Sequence, residues 1–278
     1  MNWSFRHCRS FRTEVSGVEE YISEESGERK RAFRVAAEAG KILLGSGAEI
    51  FRVEETMLRI AEACGIENME TYIIANGVFA TSESSGEPLR VAINHVGSIS
   101  TDLGKIEAVN ELSRELVAGT CSLSEAERRL TDIRRMHGYS LPVLLLGYLL
   151  GAGCFCYILG GSLKDSLGAC AIGLLLGLYM KITSRPSFTQ PLQTITASML
   201  VTVAALAVSS AMPFLSLDHM IIGGLIPLVP GVSFTNSVRD FIEHDYVSGL
   251  IRLMDALLIV ICMAAGAAAV WGIKNYFG

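Results

Sequence analysis

The chain has 278 residues, half of them hydrophobic, and a mean hydropathy of +0.41, too apolar for an ordinary soluble protein. Its formal net charge is −5 and it has no basic run, which excludes a nucleic-acid binder that works through a basic face. The charges are uneven: residues 1–138 hold 17 of the 23 Lys and Arg and 22 of the 28 Asp and Glu, leaving six of each sign for residues 139–278, as expected of a charged domain followed by a membrane domain.

In chain order, "MNWSFRHCRSFRTEV" has arginines but no apolar stretch behind them, so it does not read as a signal peptide. Residues 1–28 read as a charged, weakly ordered tail. A first helix is expected over Ala32–Leu44, broken by "GSG" at 45–47. Ile50, Val53, Met57, Ile60, Ala61 and Cys64 then recur at helical spacing up to Gly65, a natural stop. Glu49, Arg52, Thr56 and Arg59 share another face of this helix. They read as a solvated face with local ion pairs, with ligand recognition as the alternative. "TYIIANGVFATS" centres a hairpin on Asn76–Gly77, because both residues tolerate positive φ. "SSGEP" (84–88) makes a second turn and "LRVAINH" (89–95) a third strand. Two helices follow, about Asp102–Val117 and Ser124–Met136, the second with Ser124 as N-cap and Glu127 at the capping-box position. Residues 29–138 are thus expected to form an α+β domain of two helices, a three-stranded antiparallel meander and two more helices.

Little in this domain points to catalysis. Ser82, His95 and Asp102 supply triad residue types, but no nucleophile elbow, P-loop or dinucleotide fingerprint accompanies them. The seven cysteines form no C-x-x-C pair and have no His at metal spacing, so they read as buried free thiols. No catalytic residue, metal or cofactor is expected.

Residues 139–278 read as an all-α membrane domain of five spans: Leu141–Leu163, a short Leu167–Ile182, Leu192–Leu215, an interrupted Met220–Phe234, and Leu250–Ile273. Arg128, Arg129, Arg134 and Arg135 precede the first span. Lys181 and Arg185 lie in the loop after the second, and Arg239 and Arg252 between the fourth and fifth. The opposite loops hold only Lys164, with Lys274 after the last span. The positive-inside rule then makes the N-terminal domain cytoplasmic and the C-terminus external. A second copy of such an odd-span unit would enter the membrane upside down, so one unit alone is expected to be half of an inverted-repeat transporter.

The fourth span is broken by "IPLVPGVSFTNSVRD". Pro227 and Pro230 each remove a backbone donor and Gly231 adds freedom, so a helix restarting near Val232 would aim its positive end into the membrane, where it favours a carboxylate. Ser233, Asn236 and Asp240 follow at spacings of three and four, beside Arg239. Pro230, Gly231, Ser233, Asn236, Arg239 and Asp240 are therefore the candidate substrate-binding residues. The plainer alternative is that Pro-Gly ends a short span. Asp255, about six residues into the fifth span, is the candidate for proton coupling; a simple salt bridge to Arg252 is its alternative.

"GSGAEIFRVEETMLRIAEACG" and "PLVPGVSFTNSVRDFIEHDYVSGLIRLMDAL" resemble the threonine/serine exporter (ThrE-like) family, over about residues 33–275. That family has one-chain members of about ten spans. It also has two-component members, in which a five-span chain with a cytoplasmic domain, the larger YjjP-type subunit, pairs with a smaller multi-span membrane chain. The resemblance implies a subunit of a secondary-active, proton-coupled exporter of small carboxylate-bearing solutes, threonine and serine or a dicarboxylate such as succinate. It would sit in the bacterial inner membrane beside that smaller partner, with room for homo-oligomers. The competing expectation is a membrane-anchored receptor whose cytoplasmic domain binds the ligand.

Overall fold

The computed structural model describes residues 27–66, 68–83, 90–97, 100–136, 138–183 and 189–277. The expected tail before residue 27, the turn at 84–88 and Arg185 lie outside them. The chain divides into two compact units, Met1–Met136 and His137–Gly278.

The first unit runs α1 (27–45), α2 (Ile50–Ala63), β1 (Met69–Ile74), β2 (Gly77–Ser82), β3 (Arg90–His95), α3 (Leu103–Val117) and α4 (Leu123–Arg135). Helix α1 begins five residues before the expected start and takes in Glu28, which the sequence assigned to the tail. Gly47 and Gly65 stop α1 and α2 at positive φ, 79° and 76°. In both cases the next residue's N–H reaches back five positions, Ala48 to Leu43 and Ile66 to Ala61, and so satisfies carbonyls the helix end would orphan. The apolar stripes close one core: Val35, Leu43, Leu44, Val53, Met57, Ile60, Val78, Val109 and Leu112 are almost completely buried, each contributing about 1.5–3 kcal/mol of transfer free energy.

The sheet is an antiparallel meander in the order β1-β2-β3. Its first hairpin closes differently from the expectation. Ile74 pairs with Gly77, so the two-residue loop is Ala75–Asn76 and Gly77 already belongs to β2. Neither Asn76 nor Gly77 has positive φ. Gly77 instead suits a crowded strand position, where a Cβ would meet the Phe79 ring at 3.3 Å. The cap of α4 also shifts. Ser122, not Ser124, is the N-cap and accepts from the Glu125 N–H at 3.3 Å. Glu127 is thereby freed to accept from Arg31 of α1, at 2.7 and 3.2 Å. That hydrogen-bonded guanidinium holds the Glu127 carboxyl below the usual carboxylate range.

The second unit runs α5 (Leu141–Ile158), α6 (Leu163–Thr183), α7 (Gln190–Ala211), α8 (Leu217–Leu225) with a 3-10 turn (Ile226–Leu228), α9 (Gly231–Ile242) and α10 (Tyr246–Phe277). Helices α5, α6, α7 and α10 are each long and apolar enough to cross a membrane. The arms Leu217–Leu228 and Gly231–Ile242 pass that test only together and meet at 61°. At 1.5 Å per residue each arm spans about 18 Å, short of a ~30 Å hydrocarbon core.

The first span ends at Ile158, not Leu163, because Gly160 at φ 101° turns the chain and the Gly161 N–H closes on the Cys156 carbonyl. The second begins at Leu163, four residues earlier than expected, because the Asp165 carboxylate accepts from the N–H and hydroxyl of Ser162. The backbones approach at glycines. A Cβ on Gly173 would collide with the Tyr148 carbonyl of α5, and one on Gly223 of α8 would lie 2.8 Å from the Ala152 carbonyl. Helix α10 packs on α7 and α9, and the Ser198 hydroxyl donates to the Met263 carbonyl at 2.6 Å.

Candidate functional site

Two prolines and the backbone between them make the break. Val229 is extended, its N–H donating to the Ile226 carbonyl, and Gly231 N–H turns back to the Val229 carbonyl at 2.8 Å. Pro230 stands at the N-cap of α9 and offers no side-chain acceptor. Phe234 N–H is bonded to the Pro230 carbonyl at 3.0 Å, so the N–H groups of Val232 and Ser233 have no acceptor within their own helix and form its positive end. The helix restarts at Gly231, one residue before the expected Val232. Val229, Gly231, Val232 and Phe234 are exposed, so the break opens onto the surface of this unit.

The candidate residues of α9 separate onto two faces. Asp240 is 1% exposed and faces α10, where its carboxylate lies 3.3 Å from the Arg252 guanidinium, itself 5% exposed. One turn earlier the buried Ser237 hydroxyl donates to the Gly249 carbonyl at 2.8 Å. Ser233 and Asn236 are half-buried beside this seam, Pro230 is half-buried and Gly231 exposed. Arg239 turns outward, 3.6 Å from Glu243. Asp240 thus faces the helix crossing beside Arg252, while Arg239 is on the outer face. The same pairing overturns the Arg252–Asp255 salt bridge. Asp255 is exposed on α10 and has no ion-pair partner among the described residues.

In the first unit Ser82, His95 and Asp102 do not assemble as a triad. In the sheet register Ser82 pairs with Arg90 and His95 with Gly77, at opposite ends of β2 and β3, roughly 17 Å apart at strand rise. Asp102 caps α3, accepting from the Lys105 N–H. The solvated-face expectation for α2 holds for Arg52 and Arg59, which flank Glu55. It fails for Thr56, which is buried and donates to the Arg52 carbonyl at 2.8 Å. Cys156 and Cys262 are buried as expected, but Cys154 is exposed on α5. Among the described residues no three His, Cys, Asp or Glu side chains gather as metal ligands would.

One structural group escaped the sequence reading. Asp165 accepts from Ser162 and also from the Ser216 N–H at 2.7 Å, so one buried carboxylate ties the loop before α6 to the loop before α8. The pattern Ser162-x-x-Asp165 was its visible signal, a capping-box spacing with Asp in place of Glu. Arg252 was offered by the sequence as a partner for Asp255, and its place beside Asp240 was not foreseen.

The ThrE family, described as "Putative threonine/serine exporter", matches residues 34–274. The chain is 25% identical to "Threonine/serine exporter" of Corynebacterium glutamicum over 84% of this chain and 49% of that protein; it spans about half the length of that relative. It is 25% identical to "Probable succinate transporter subunit YjjP" of Klebsiella aerogenes, over 91% of this chain and 98% of that one. The protein of the same name from Escherichia coli is also 25% identical, over 90% and 98%. No solved structure matches. With a family match across both units and membrane-spanning helices in the second, the chain is a multi-pass membrane protein and belongs to the threonine/serine exporter (ThrE) family, a family of transporters rather than enzymes.

Proposed function

We propose that the chain is one subunit of a secondary-active, proton-coupled exporter of small carboxylate-bearing solutes, threonine or serine or a dicarboxylate such as succinate, and that it works with a smaller multi-span membrane partner. The observation that carries this reading is the 61° break that leaves the uncapped N-terminus of α9 open on the unit's surface. Irregular backbone at membrane depth is tolerated only against protein or a water-lined path. The break thus calls for a second protein surface, and the positive helix end then faces the path between the two, suited to a carboxylate. Pro230, Gly231, Ser233, Asn236 and Arg239 line the solute site, and Asp240 holds α9 in place through Arg252. Asp255, exposed on α10, carries the coupling proton. The Klebsiella aerogenes and Escherichia coli relatives are named as transporter subunits, which supports a partner.

Proteoliposomes test this directly. The chain alone should give no flux of threonine, serine or succinate, and flux should return when the partner is co-reconstituted. In the pair, Asn236→Ala and Arg239→Gln should each raise KM by about tenfold, the loss of one charge-assisted contact, with unchanged yield of assembled protein. Asp255→Asn should flatten the pH dependence of flux. Robust flux from the monomeric chain alone would reject the subunit reading. Unchanged KM in both α9 variants would return the break to a simple helix end.

The same reading places the first unit in the cytoplasm and the C-terminus outside, since Arg134 and Arg135 precede α5 and Arg239 and Arg252 lie between α9 and α10. Reporter fusions should report opposite compartments at the two ends; a cytoplasmic C-terminus would remove the five-span topology.

A further inference from the structure

We propose that the first unit carries its own binding site for a compact dianion, separate from the solute site of the membrane unit. A cleft of about 430 Å³ is lined by Lys41 of α1, Lys105 of α3, Arg134 in the last turn of α4, Ser46 in the turn after α1 and His95 at the end of β3, within the size range of small-ligand sites. Three cations from three separate helices converge there, and Glu38 is the acidic residue among the lining groups. This local sign runs against the rest of the unit, since residues 1–138 hold 22 acidic and 17 basic side chains.

Two of the cations have internal counter-ions of moderate quality. Lys105 lies 3.7 Å from Asp102, and Arg134 lies 3.1 Å from Glu38 with more than half its side chain exposed. Lys41 is half-buried and has no acidic partner among the described residues. Like charges gathered at a concave surface repel one another and raise the local potential for an incoming anion. A ligand with two negative charges would compensate Lys41 and Lys105 together and draw Arg134 from Glu38. The cleft is built in advance: Ser100 N–H donates to the Gly45 carbonyl and Asp102 N–H to the Ser46 carbonyl, both at 3.1 Å, clamping Ser100 and Asp102 onto the turn after α1. A dicarboxylate and a phosphate share the required chemistry.

Isothermal titration of the full chain in detergent, at fixed ionic strength, distinguishes them. Succinate and inorganic phosphate are the probes, and zwitterionic threonine is the control. Saturable binding of at least one dianion is expected, and the one that binds identifies the source. Lys41→Gln and Lys105→Gln should each weaken it about tenfold without lowering the thermal midpoint, because each removes a charged contact and breaks no buried one. Arg128→Gln, which removes an exposed cation outside the cleft, should leave it unchanged. Absence of saturable binding by both dianions, indifference to both Lys substitutions, threonine binding weakened equally by them, or loss of binding in Arg128→Gln would each overturn the proposal. None of these outcomes bears on flux, so the site and the transport reading stand or fall separately.

Discussion

Replacing Arg252 by Met should destabilise the membrane unit by about 3–5 kcal/mol, the cost of leaving a buried carboxylate without its counter-charge. Asp240→Asn should do similar damage by stranding the guanidinium. The pair is 1% and 5% exposed and lies 3.3 Å apart at the crossing of α9 and α10. Loss of one member therefore acts on the one packing that holds α9, since among the described helices α9 packs chiefly on α10. The double variant Asp240→Leu/Arg252→Met should recover most of the loss, because apolar replacement removes both desolvation costs at once. Thermal unfolding in detergent, followed by monodispersity on size exclusion, reads all three. In proteoliposomes with the partner the double variant should keep solute affinity within about twofold, as expected of a pair that positions α9 without touching solute. Single variants as stable as the parent would show that the pair is not dry. A folded double variant without flux would move Asp240 from the helix crossing into the transport path.

Gly173→Val should separate α5 from α6. A Cβ at Gly173 runs into the Tyr148 backbone carbonyl and lies 2.6 Å from the Ala152 Cβ, and neither can swing aside as a flexible side chain would. Overpacking of this kind costs about 1–3 kcal/mol, and the backbone collision puts Gly173 at the upper end. Gly147 of α5 is the matched control, since a Cβ there meets nothing within 4 Å. Gly147→Val should leave the isolated chain's unfolding midpoint unchanged, while Gly173→Val lowers it and reduces the folded yield. Equal midpoints for the two variants would mean that the glycine contact does not set the α5–α6 distance.

Much of the fold was legible because it is local. Helical spacing of apolar residues, the Gly at 47 and 65, and the alternation in "LRVAINH" act over a few residues, through backbone sterics and short hydrogen bonds. They led to four helices and a three-stranded meander in the order found. Local readings failed where two local solutions compete closely. Ser122 and Ser124 are both good caps, and the core positions Ala126, Leu130 and Ile133 fit a helix starting at Leu123. Asn76–Gly77 is a good turn pair, yet the pairing of Gly77 with Ile74 moves the loop one residue back.

The candidate site divides along the same line. By itself the sequence determined that the fourth apolar segment must break, because Pro227 and Pro230 cannot donate, and that a polar face would follow the break. Only the tertiary structure decided which way that face points. Asp240 is adjacent to Arg239 in the chain but meets Arg252, twelve residues on, because helix geometry sends neighbouring side chains about 100° apart and the α9–α10 crossing selects which of them is buried. The partner of Glu127 is Arg31, 96 residues away, for the same reason. Charge pairing across helices is fixed by which faces cross, and a crossing depends on the shape of both partners, where Gly249 lets α10 come close to Phe241 and Ser237.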